Sequence, residues 1–289
     1  MVFLWKPTAW LHVNGADAAT FLQGQFTNDL RLLEKMPAVY GLWLNLKGKV
    51  IADSFILNGA TPHEFWVGSY FSSAATIRER LEGHIIADDV AIADQTGDWA
   101  GVTVFGSDAR GLPSDSDGDI LRFPGRRDRE RATECMYRRH GDEPRWLLGS
   151  PAPRLDADTV ERRRIAAGIP AVPIDVGPGD LPNEAGLDAE AISYTKGCYL
   201  GQEVMARLKS MGQVRRRLLR VRGTGDAPSS LPAPLFVGSR QVGDVRSATR
   251  HETEGWIGLA MLSLLHVKAD STLSCSADAA PSVRLRDSP

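Results

Sequence analysis

Residues 195–204 read TKGCYLGQEV, a cysteine set between two glycines with a lysine two places before it. Chemistry at such a residue needs the thiolate, which nearby positive charge and a helix N-terminus both favour. Lys196 supplies the charge. The spacing predicts a helix from about Gly201, whose free N–H groups would point back at Cys198. Gly197 and Gly201 would let the chain bend tightly on either side of the thiol. The competing reading is a small buried hydrophobe at a strand-to-helix turn, because free cysteine is among the most buried residue types. A Cys–His dyad has no support: His12, His63, His84, His140, His251 and His266 all lie far from Cys198 in sequence and in no recognisable catalytic motif. Cys135, Cys198 and Cys275 are also too widely spaced for a zinc or CxxC pattern, so no metal site is expected.

Two carboxylates stand out beside the thiol. Glu184 follows Pro182-Asn183 in a turn-rich stretch, GDLPNEAGLDAEAISY, where binding residues concentrate. There it could accept two N–H bonds from a planar amino-bearing heterocycle, or simply be solvated. Asp53 lies within the apolar strand VIADSFIL. A charged residue in such company is either a paired site residue or sits on the outward face, and alternation alone leaves both open. Glu203 opens the helix after the cysteine, where the dipole favours a carboxylate. Arg207 and Arg216 follow closely, and either could hold a ligand carboxylate through a bidentate pair. The arginine runs at 126–131, 162–164 and 215–217 read as solvated faces, since the chain carries a net charge of −2. A nucleic-acid partner is therefore not expected.

These residues need a scaffold, and the chain spells one out. Its 289 residues suggest two domains or three, and 43% hydrophobic with 24% charged residues suits a soluble globular protein. Runs such as WLHV, AVYGLWLNL, KVIADSFIL, EFWVGSY, DVAIADQ and WAGVTVFG read as strands, punctuated by Asn14-Gly15, Lys47-Gly48 and Asn58-Gly59. Helices are expected after Asp17, through SSAATIRERLEGHI, from Asp156 to Gly168, and over VMARLKSMG with Val204, Leu208 and Met211 on one face. Residues 107–119 read as an acidic solvated loop, and 125–145 as a basic helix or mobile surface segment. Beyond Gly212, short β-like runs separated by Gly and Pro turns mark a small barrel or sandwich. Strands and helices in this order, with abundant hairpins and no GxGxxG, give an α+β fold rather than a doubly wound sheet. No stretch approaches a membrane span. Lys6 and Pro7 interrupt the apolar start, so a cytoplasmic setting is expected.

KGCYLGQE at 196–203 resembles the signature of the YgfZ family of folate-binding, iron–sulfur-maintenance proteins, relatives of the glycine-cleavage T-protein GcvT. FLQGQFTNDL, LNLKGKVIADSFIL, RIAAGIP and LPNEAGL occur in the order that this family would show. The resemblance implies a three-subdomain ring with a C-terminal barrel, divided as 1–46 with 146–212, 47–145, and 213–289. It implies tetrahydrofolate, or a one-carbon derivative, in a central hole. Cys198 would be the functional thiol, Glu184 the pterin-facing carboxylate, and Asp53 the carboxylate near the folate nitrogens. Lys196, Tyr199, Gln202, Leu22, Phe26 and Arg207 or Arg216 would complete the pocket. The partners implied are iron–sulfur client enzymes or assembly proteins, served by a monomer. Folate-dependent aminomethyl transfer and a tRNA-modification role are the alternatives.

Overall fold

Alternating apolar runs closed by tight turns build three antiparallel sheets. The computed structural model describes residues 1–106, 120–129, 131–139, 143–251, 253 and 255–286. The acidic loop expected at 107–119 lies outside the described residues, as does the Met211 side chain. In the first sheet, five strands run in the order Val39–Leu44, Val50–Asn58, Glu64–Ser69, Ala9–Asn14, Ala91–Asp94. The Lys47-Gly48 turn joins the first two. Gly48 adopts φ +68°, and the Asn45 side-chain oxygen accepts the N–H groups of Lys47 and Lys49.

Both faces of this sheet are covered, so strand 39–44 is buried at every position. Helices Ala18–Gln25 and Ala74–Glu82 close one face over Leu11, Val13, Trp43 and Ile56. Ser73 caps the second helix by accepting from Thr76 N–H. Asp17 does not cap the first helix in that way; its carboxylate accepts from Asp89 N–H instead. The opposite face carries an aromatic core of Trp10, Tyr40, Phe55, Trp66, Tyr70, Trp99 and Phe123.

The second sheet runs Val2–Trp5, Trp99–Phe105, Ala132–Arg138, Ile120–Pro124. Its third strand corrects the expectation of a basic helix or mobile segment over 125–145. The pattern Ala132, Cys135, Met136, Tyr137 is buried, and only the flanking residues are as charged as the run suggested. Helix Ala157–Ala167 follows, capped by Asp156 and ended by Gly168 at φ +75°. The hairpin 39–44/50–58 straddles residue 46, so the first sheet bridges the division expected there.

The third sheet is nearly a barrel. Its order is Ala233–Val237, Arg240–Arg250, Trp256–Ser263, Arg216–Gly223, Val283–Leu285, Thr272–Leu273. Paired hydrogen bonds between Phe236 and Ser274 join its two edges. The fold is thus α+β, with helix Gln202–Met211 immediately ahead of the barrel. Among the described side chains of this helix the buried one is Met205, at no measurable exposure, while Val204 and Leu208 are half-covered against the same core. The face expected from Val204 and Leu208 is therefore rotated toward Met205.

Candidate functional site

Cys198 is exposed on the turn before helix 202–211, as Cys275 is on the barrel, whereas Cys135 is buried. The small-buried-hydrophobe reading thus applies to Cys135, whose thiol burial pushes up to about 12. The turn bearing Cys198 is held from beneath. Gly201 adopts φ +87°, and a Cβ there would stand 2.9 Å from the Asn45 carbonyl oxygen, so only glycine lets the turn rest on the hairpin tip. Gly197 has no such constraint, since a Cβ there would meet open space. Tyr199 is buried in the aromatic core beside the exposed thiol, and Gln202 N–H donates to its carbonyl (3.2 Å).

Lys196 turns inward rather than toward solvent. Its ammonium donates to the carbonyls of Gln23 (2.5 Å), Phe26 (2.6 Å) and Asn28 (3.0 Å). Burial pulls its pKa down to about 8. Lys196 is therefore a clamp that fixes the thiol turn to the end of helix 18–25, with its donors already engaged. Leu22 and Phe26 do not line a cavity. Both are fully buried in the layer between that helix and the first sheet, where Phe26 packs on Trp43 at 4.8 Å. Arg207 is exposed, and its ion-pair partner among the described residues is Glu203 at 4.0 Å.

Glu184 is buried, and the donors around it are the chain's own. Its Oε2 accepts from Leu181 N–H (2.8 Å) and Arg216 Nη2 (2.9 Å), and its Oε1 from Arg216 Nε (3.0 Å). Arg216 also reaches Asp180 (2.9 Å), which Arg246 contacts from barrel strand 240–250 (3.3 Å). Arg216 is thus the bidentate cation expected after the cysteine, but its carboxylate partner is Glu184. This network ties the Glu184 segment to the barrel.

Asp53 points inward, which settles the alternation question. Its Oδ1 accepts from the Ser69 (2.6 Å) and Ser72 (2.8 Å) hydroxyls, and its Oδ2 from Tyr40 OH (3.0 Å). The Arg126 guanidinium lies 3.7 Å over the Tyr40 ring and pairs with Glu190. Neither Arg126 nor the three hydroxyls stood out in the sequence, because an arginine in an RRDRER run reads as solvated. Burial raises the Asp53 pKa above its ordinary 3.8, while the hydroxyls and Arg126 oppose that shift. A raised native pKa means the folded state holds the proton longer than the unfolded chain. Its contribution is then complete below about 4 and declines as pH rises toward the native value. Urea denaturation between pH 4 and 7 is expected to show wild type losing stability relative to Asp53→Asn as pH rises. A pH-independent difference would contradict this.

Among the described residues, no group of three or more His, Cys, Asp or Glu is placed to hold a metal ion. The test for a tetrahydrofolate ligand is geometric. A pterin edge offers parallel N–H donors, and a carboxylate that binds it must present two free acceptor directions. Three of the roughly four directions on Glu184 are filled, and Asp53 is ringed by hydroxyls. A pterin approaching either carboxylate would have to displace the chain's own donors.

The chain has relatives. Residues 6–118 match the model of the GCVT N-terminal domain, and residues 215–287 that of the CAF17 C-terminal beta-barrel domain. The iron-sulfur cluster assembly factor IBA57 of Homo sapiens, a mitochondrial protein, is 31% identical over 90% of this chain and 78% of its own length. The chain belongs to the YgfZ/IBA57 family. The tRNA-modifying protein YgfZ of Edwardsiella ictaluri is 29% identical over 99% of the chain and 90% of its own length. Glycine cleavage system aminomethyltransferase T from Bartonella henselae superposes with a TM-score of 0.80 at 15% identity, covering 99% of this chain and 85% of that one. This chain thus has the GcvT-like fold that the resemblance implied. No helix among the described residues is long and apolar enough to cross a membrane.

Proposed function

We propose that this YgfZ/IBA57 protein serves the assembly or maintenance of iron–sulfur clusters in client enzymes, with the Cys198 thiolate as its working group. The observation that carries this reading is an exposed thiol on a turn fixed by Lys196, Tyr199 and Gly201. Holding the backbone while leaving the sulfur in solvent suits a ligand that must meet a partner in one orientation. A cluster is held by about four cysteine-type ligands, and Cys198 supplies one. The client or carrier protein supplies the rest, so the cluster is cargo shared across an interface. The chain acts as a monomer in a reducing, cytoplasmic setting, where a solvent-facing thiol persists.

Tetrahydrofolate, the ligand class that the GcvT-like fold implies, would have to displace the chain's own donors at Glu184 or Asp53. The same enclosure of Asp53 weighs against folate-dependent aminomethyl transfer, which would need that carboxylate beside the substrate. The bacterial relative's name raises a tRNA-modifying role, but the thiol turn carries Lys196, Glu203 and Arg207 in mixed charge rather than a basic stripe.

Complementation tests the proposal. In a strain lacking its own YgfZ/IBA57 protein, Cys198→Ala is expected to fold with an unchanged melting temperature and to leave cluster-enzyme activity at the deletion level. Full rescue by the folded variant would remove the thiol from the mechanism.

A further inference from the structure

The outer face of the barrel carries a cluster of arginines with no evident structural purpose. Strands 216–223 and 283–285 pair antiparallel, with Val221 opposite Leu285 and Arg222 opposite Arg284. The Arg286 N–H extends the ladder to the Arg220 carbonyl (2.9 Å). Val221 and Val283 face the barrel core, so strand alternation sends Arg220, Arg222, Arg284 and Arg286 to the other face. Arg220 donates to the Ala166 carbonyl (2.8 Å). Arg222, Arg284 and Arg286 are exposed and, among the described residues, make no ion pair or side-chain hydrogen bond.

A pocket of about 620 Å³ opens here, lined by these three arginines together with Thr224, Thr272 and Ser282. No acidic or aromatic side chain is among its described lining residues. Like charges directly opposite on neighbouring strands destabilise a sheet. The chain as a whole is slightly acidic, at −2, so general basicity does not account for the cluster. An anion between the guanidinium groups would turn the repulsion into attraction.

We propose that this face of the barrel binds a compact polyphosphate anion, with Arg222, Arg284 and Arg286 as its cationic contacts. Guanidinium groups match phosphate oxygens in bidentate geometry. Neighbouring strands lie about 4.8 Å apart, and residues two apart on one strand about 6.8 Å. Three arginines at these spacings surround a volume that suits more than one phosphate charge. The pocket volume falls within the range of about 300–1,000 Å³ common for small ligands. Single-stranded nucleic acid normally finds aromatic platforms for its bases, and the described lining has none.

Calorimetry and thermal melting of the full chain with pyrophosphate test the site, with sulfate at matched ionic strength as control. Saturable pyrophosphate binding is expected, weakened at least tenfold in Arg222→Gln/Arg284→Gln. The same double substitution is expected to raise the melting temperature of the ligand-free protein, because it removes the facing charges. A nucleoside triphosphate run in parallel separates two sources of the same chemistry: equal affinity assigns the polyphosphate alone, and tighter binding assigns a nucleotide. No saturable pyrophosphate binding, an equal response to sulfate, or unchanged binding by the double variant overturns the proposal. So does binding of a single-stranded oligoribonucleotide without pyrophosphate binding.

Discussion

Arg164→Ala is expected to lower the free energy of unfolding by about 3–5 kcal/mol, the usual consequence of removing one partner of a buried ion pair. Arg164 joins three parts of the molecule from helix 157–167. It donates to the Asp175 carboxylate (2.6 Å) and the Ile169 carbonyl (2.6 Å) in the following loop, and to Ser247 Oγ (2.9 Å) on the barrel. Glu161 accepts from it one turn back along the helix (2.8 Å). Burial works against the guanidinium charge, but the Glu161 and Asp175 carboxylates outweigh that effect and raise its pKa. Asp175 has no exposed surface and would be left buried without its cation. Urea denaturation followed by tryptophan fluorescence checks the result, with exposed Arg207→Ala as control. The control is expected to change stability by no more than about 0.5 kcal/mol. A loss below about 1 kcal/mol for Arg164→Ala would mean that Asp175 finds another partner.

Lys196→Met is expected to cost about 2–4 kcal/mol, because the buried Phe26 carbonyl and the partly buried Gln23 and Asn28 carbonyls lose their common donor while the methylene stem is kept. The damage should be local as well as global. Helix 18–25 ends at Phe26, and the clamp is what ties residues 23–28 to the thiol turn. Hydrogen exchange is expected to quicken at the amides of residues 26–30 and 198–202 before it changes in the barrel. Uniform acceleration across the chain would show that Lys196 contributes only to overall stability.

Much of the scaffold was legible because it rests on local rules. Period-2 runs and the Asn-Gly and Lys-Gly turns placed the first sheet, and Ser73, Asp156 and Gly168 act at helix ends as their residue types require. What failed depends on tertiary partners. The charged run at 125–145 conceals a strand because Arg127 is buried among distant groups, stacking on Tyr70 (3.9 Å) and Trp5 (4.6 Å) near Glu134. Leu22 and Phe26 were rightly apolar, but hydrophobicity does not say which layer a side chain joins. The Glu184–Arg216 pair spans 32 residues, and nothing in either local sequence announces that the two satisfy each other. The exposure of Cys198 was equally hidden. Composition favours a buried cysteine, and only the Lys196 clamp and the Tyr199 anchor beside it leave the sulfur outside.

The most direct measurement is the alkylation rate of each cysteine under anaerobic conditions, with and without a glutathione-ligated [2Fe–2S] cluster, read by peptide mass spectrometry. Without cluster, Cys198 and Cys275 are expected to react in the native protein while Cys135 stays protected until unfolding. With cluster, Cys198 alone should slow, and the visible circular dichroism of the cluster should change with wild type but not with Cys198→Ala. Undiminished alkylation of Cys198, or an identical spectral change with the alanine variant, would contradict a cluster-handling thiol.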